Sequence, residues 1–179
     1  MLSKGVYFEK SSEHAIKFVE KAVSKYLVEA QFLLANHLYN GDGTEKDRIR
    51  ALSLFEKAAE RGLAIAQHNL ATMYFLGDEG DDPAPVKKQV WKAVEFWNMA
   101  ASQNFPLSLM NLGKLYMEGY PGGEGLDIPI RKDLSKSKGY FSRVASVENP
   151  LAEEAREMLK KIDEMESAAK TEPSKCSIM

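Results

Sequence analysis

The chain has 179 residues, 44% hydrophobic and 28% charged, which suits one folded domain and excludes a disordered chain. A net charge of −2 removes any global basic bias toward nucleic acid or anionic lipid. The single cysteine excludes an internal disulfide framework and suits a reducing compartment.

Residues 1–12 read as a lead-in. They lack the apolar run of a signal peptide, and Glu9 and Glu13 speak against a mitochondrial leader. Leu2 stands where N-myristoylation needs glycine, and no stretch approaches the roughly 18 apolar residues of a membrane span.

From His14 onward two helical patterns alternate. The first, "HAIKFVEKAVSK", recurs as "RALSLFEKAAER" from Arg50, "KAVEFWNMAASQ" from Lys92 and "KSKGYFSRVASV" from Lys136. Bulky pairs (Phe18-Val19, Leu54-Phe55, Phe96-Trp97, Tyr140-Phe141) are followed four residues on by small ones (Ala22-Val23, Ala58-Ala59, Ala100-Ala101, Val144-Ala145). Large residues on one turn against small ones on the next let helices approach closely. The second pattern is "AQFLLANHLYNG" from Ala30, "AQHNLATMYFLG" from Ala66 and "SLMNLGKLYMEG" from Ser108. Each begins with a small residue, has leucine fifth (Leu34, Leu70, Leu112) and closes on a glycine suited to a helix C′ stop (Gly41, Gly77, Gly119). The second pattern is helix A of a repeat and the first is helix B.

The spacing supports a true repeat. From the first small residue of B to that of the next A the separation is always 15: Ala15 to Ala30, Ala51 to Ala66, Ala93 to Ser108, Ser137 to Ala152. Only the stretch from the glycine to B varies, at 10, 16 and 18 residues. A packed helix pair tolerates no insertion and a surface loop does. The segment "PLAEEAREMLKKIDEMESAAK" has Arg156 where the other A helices have leucine, so its charged outer face reads as the end cap a stack of repeats requires.

These residues resemble the Sel1-like repeat, an α/α solenoid unit related to tetratricopeptide repeats. The likeness rests on Ala66-Gln67-His68-Asn69-Leu70-Ala71 with Tyr74, on Gly41-Asp42-Gly43 with Asp47, and on Ala51 through Phe55 to Ala58-Ala59. Leu38 departs from it where tyrosine is usual, as do the enlarged later loops. The expected fold is all-α: a solenoid of antiparallel helix pairs, about three repeats plus flanking helices, over residues 13–166. Residues 167–179 are expected to form a flexible tail.

The terminus, "CSIM", fits the C-a-a-X prenylation pattern, with Cys176 the lipidated thiol and Met179 favouring farnesyl. The pairing of such repeats with a terminal prenylation box is similar to that of fungal chitin-synthase activators. One farnesyl chain gives weak, reversible membrane binding, so a second contact is expected.

Other constellations are weaker. His14, His37 and His68 show no metal-ligand spacing. "GYPGGEG" from Gly119 lacks the Lys-Ser/Thr of a phosphate loop, and "GDEGDD" from Gly77 lacks the spacing of a calcium loop. Trp97 takes the bulky core position of helix B. No catalytic signature appears, and neither enzyme activity nor a cofactor or metal is expected.

What remains is a surface. If positions one, five, eight and nine of helix A face the core, positions four and seven face a groove. These are Asn36, Asn69, Thr72, Asn111 and Lys114, whose polar ends suit the backbone of an extended peptide. The resemblance implies an adaptor: a non-catalytic, farnesylated protein at the cytoplasmic face of a membrane, recruiting or activating a protein partner such as a membrane enzyme. Three alternatives stand beside it: a soluble, unprenylated assembly factor, an enzyme, and a bacterial effector borrowing host prenylation.

Overall fold

A computed structural model describes residues 27–77, 86–123 and 128–171. The helix expected over 14–25 and the terminus with Cys176 lie outside them. Seven helices are described: α1 Val28–Asn40, α2 Arg48–Glu60, α3 Ala64–Leu76, α4 Val90–Ser102, α5 Pro106–Glu118, α6 Leu134–Ala145 and α7 Ala152–Thr171. Among the described residues the only extended pairing is one bridge, Tyr120 with Ile130, so the all-α expectation holds. The chain forms two compact units, α1 to α4 up to Phe105 and α5 to α7 from Pro106.

Within unit 1 the helices pack in order, α1 on α2, α2 on α3 and α3 on α4; in unit 2 α5 packs on α6 and α6 on α7. The second bulky residue of each helix B is its core anchor: Phe55, Trp97 and Phe141 are buried, Phe55 against the Phe32 and Tyr39 rings, Trp97 against Phe75, and Phe141 against the backbone at Gly113. The helix A core differs from the expected stripe. Positions one, two, five and six are buried throughout, whereas position eight is only half-buried in His37 and Met73. In unit 1, α3 packs on both α2 and α4. Gln67, at position two and 2% exposed, sends its Nε2 back to the Ala59 carbonyl of α2 at 2.9 Å, and its Oε1 accepts from Gln103 Nε2 at 2.9 Å. A buried amide is tolerable when both its ends are bonded.

The loops share one closure. The amide of Gly41, Gly77 or Gly119 bonds the carbonyl four residues back at 2.8 Å, and each glycine has a positive φ of 81°, 74° or 78°. The residue before helix B then donates its amide to position nine of helix A: Asp47 to Leu38 at 2.9 Å, Gln89 to Tyr74 at 2.7 Å, Asp133 to Tyr116 at 2.7 Å. Loops of three lengths thus start and finish on the same pair of bonds.

Repeats two and three add an aromatic clasp there. Lys92 Nζ lies 4.8 Å over the Tyr74 ring, which stacks on Phe96 at 6.0 Å. Lys136 lies 5.0 Å over Tyr116, stacked on Tyr140 at 5.9 Å. Repeat one has Leu38 at this place and uses the next residue, Tyr39, with Arg48 5.4 Å over its ring. Such contacts contribute on the order of 1 kcal/mol each.

The last helix ends the stack as expected. Its buried residues are Ala152, Ala155 and Ile162, while Arg156, Glu157 and Lys160 are exposed where earlier A helices bury leucine, a small residue, and leucine or tyrosine. Helix α7 also runs to Thr171, so the boundary drawn at 167 falls inside it. Ser167, Ala168 and Ala169 continue the helix because no proline or glycine intervenes before Pro173.

Candidate functional site

The face of helix A left uncovered by helix B is the candidate interaction surface. In unit 1 it carries three of the five expected residues: Asn36 on α1, and Asn69 and Thr72 on α3, all half-buried. In unit 2 it carries Asn111, half-buried, and Lys114, exposed, on α5. Their hydrogen bonds separate them. Asn36 Nδ2 donates to the Phe32 carbonyl at 3.0 Å, and Thr72 Oγ1 donates to the His68 carbonyl at 3.0 Å, each four residues back in its own helix. Such local bonds exchange readily with a ligand because the carbonyl keeps its helical partner. Lys114 Nζ pairs with Glu154 Oε1 at 2.8 Å, which ties α5 to α7. Asn69 and Asn111 present their amides without a described side-chain bond of this kind.

The same face is more apolar than the five residues imply. Leu33 is 48% exposed and Leu76 is 63% exposed. Leu33 stands at position four of α1, where α3 and α5 have Asn69 and Asn111, so the repeat register could have found it. Exposed leucines beside polar amides form a surface that binds an apolar side chain and a peptide backbone together.

Two titratable groups of α3 depart from their usual behaviour. His68 packs on Phe105 with ring centroids 5.2 Å apart, and burial holds its pKa below the usual histidine value. Tyr74 donates from its hydroxyl to Glu56 Oε1 at 3.1 Å, and burial, then the Glu56 charge, push its pKa up to about 12. His37 Nδ1 donates to the Asp42 carbonyl at 2.9 Å, so it ties the end of α1 to its loop. Trp97 is core, as expected, and Trp91 is exposed beside Lys92, whose Nζ lies 5.6 Å from its ring. Among the described residues no group of histidine, cysteine and carboxylate side chains could hold a metal ion, and no helix is long and apolar enough to cross a membrane.

Comparison with known proteins agrees with the repeat pitch. The family model for the Sel1 repeat matches three times, over residues 28–63, 64–105 and 106–146. A curated relative, the ERAD-associated E3 ubiquitin-protein ligase component HRD3B of Arabidopsis thaliana, is 27% identical over 153 residues, covering 80% of this chain. The match spans only 22% of that relative's length. Among solved structures, a Sel1 repeat protein from Oxalobacter formigenes superposes with a TM-score of 0.67 at 28% identity, over 82% of this chain and 98% of that one. A protective antigen of uropathogenic Escherichia coli strains displaying an SLR fold gives 0.61 at 25% identity, over 75% of this chain and 26% of that one. The fold class is therefore the α/α solenoid, built from helix pairs that begin at α1, α3 and α5. The chain belongs to the Sel1 repeat family.

Proposed function

We propose that this protein is a non-catalytic adaptor that binds a protein partner, in extended form, along the open face of its A helices. The observation that carries this is that face itself: Leu33 and Leu76 exposed beside Asn36, Asn69 and Thr72 in unit 1, with Asn111 and Lys114 on the corresponding face of α5. The relative from Arabidopsis is described as a component of a ubiquitin ligase, which favours a role in assembly rather than in chemistry. Asn69→Asp and Leu33→Asp, once a partner is in hand, should each weaken binding roughly tenfold, since each places an unpaired charge at a desolvated contact.

The adaptor is farnesylated at Cys176 and acts at the cytoplasmic face of a membrane. The thioether forms between the cysteine sulfur and C1 of the farnesyl group, with diphosphate leaving. Intact mass from a prenylation-competent eukaryotic cell is the test. Loss of Ser177-Ile178-Met179 with gain of a farnesyl and a methyl ester is expected, and Cys176→Ser should move the protein out of the membrane fraction. An unmodified mass, or an unchanged distribution, would leave the soluble assembly factor as the function.

A further inference from the structure

A single farnesyl chain holds a protein to a membrane only marginally, and a second contact is needed for a defined orientation. Unit 2 fixes where that contact can be. Helix α7 runs antiparallel to α6: Lys138, near the start of α6, binds Asp163 and Glu166 in the second half of α7, both at 2.7 Å. From Lys138 back to Leu134 is about 6 Å of helix, and from Glu166 on to Thr171 about 7.5 Å, so α7 ends about level with the start of α6. Cys176 follows Thr171 by five residues, a reach of at most about 17 Å. A lipid on Cys176 is therefore tethered from that end of the unit, where α7 stops.

That end has an apolar projection. The α5–α6 connection is pinned by the Tyr120–Ile130 bridge, with N–H···O bonds of 2.7 and 2.8 Å, and by the Asp133 amide on Tyr116. The pinned connection holds Ile128 outward, 69% exposed, beside exposed Arg131 and Lys132. Among the described residues, three nearby carboxylates are engaged. Asp133 accepts from the Lys136 amide as the cap of α6, and Asp163 and Glu166 are bound by Lys138. Glu118 and Glu164 are exposed at the same end, so the apolar contact leads and the basic pair assists. At the opposite end of the unit, beyond the last turn of α6, Val147 is a comparable exposed aliphatic residue at 59%.

We propose that the end of unit 2 bearing Ile128, Arg131 and Lys132 faces the lipid surface, with Ile128 entering the bilayer interface as the second contact. This rests on the lipid-anchored reading above, and the test separates the two. The full chain is conjugated at its only cysteine, Cys176, with a farnesyl maleimide, which supplies the lipid whether or not a cell does. Partitioning is measured on vesicles of phosphatidylcholine, with and without phosphatidylserine. Ile128→Asp should lower the partition coefficient roughly fivefold or more, whereas Val147→Asp should change it by less than about twofold. Arg131→Gln with Lys132→Gln should lower it several-fold on phosphatidylserine vesicles and leave phosphatidylcholine binding unchanged. No effect of Ile128→Asp, or an equal effect of Val147→Asp, would overturn the proposed orientation. The expected pattern on the conjugate, with no prenylation in cells, would instead sink the anchored function alone. Ile128 and Val147 are both exposed, so neither substitution disturbs the core.

Discussion

Gly113 and Gly139 stand in neighbouring helices of unit 2 and have opposite reasons for being glycine. A Cβ on Gly113 would lie 2.6 Å from Cε1 of Phe141, whose side chain is fully buried and cannot withdraw. The absent side chain lets the ring sit against the α5 backbone, where Ser137 Oγ also donates to the Gly113 carbonyl at 2.7 Å. A Cβ on Gly139 would meet nothing within 4 Å. Gly139→Ala should therefore stabilise the protein by about 0.5–1 kcal/mol through helix propensity, and Gly113→Ala should destabilise it by about 1–3 kcal/mol through overpacking. Paired urea titrations of the two variants check the sign of each. Equal shifts would mean that Phe141 relaxes more easily than its burial implies.

The first five helices are each 13 residues long, and the helix ends differ in quality. Asp47 and Asp133 each accept a backbone amide three residues on at 2.9 Å, from Arg50 and Lys136. Gln89 holds the same place at α4 without a side-chain cap bond. Gln89→Asp should supply the missing bond and stabilise the protein by about 0.5–1 kcal/mol, seen as a rise in thermal midpoint. Much of this element structure is legible in the sequence because it is written in side chains: the small and large residues of helix B, the leucine at position five, the glycine stops. Two features are not. The burial of Gln67 is one, since it depends on the Ala59 carbonyl and on Gln103, which bond the two ends of its amide. The bonds from Asp47, Gln89 and Asp133 to position nine of helix A are between backbone atoms and leave no trace in residue identity. The five groove residues named from the sequence are all polar, whereas Leu33, at the same position four of α1, is 48% exposed and adds an apolar side chain to that face.

At the scale of the molecule, α7 presents charge where earlier A helices present a face for helix B. Arg156, Glu157 and Lys160 hold the three places that earlier repeats give to leucine, a small residue, and leucine or tyrosine. Replacing them together, as Arg156→Leu, Glu157→Ala and Lys160→Tyr, should turn the cap into an open repeat face, and the protein should then associate with rising concentration. Sedimentation velocity would register this as a growing sedimentation coefficient, while the unaltered chain stays constant.

The closure shared by the three loops has a consequence for engineering. Because the first and last bonds of each loop are made by the backbone alone, loop length can change without altering a helix, so long as the buried Val86 and Lys88, 5.7 Å over the Phe75 ring, keep their places. A reporter, an epitope or a whole foreign domain spliced between Gly77 and Gln89 would be held by the same two amides that hold the native twelve-residue step. Repeats of this kind are then sockets of fixed gauge, and new parts can be fitted without re-cutting the frame.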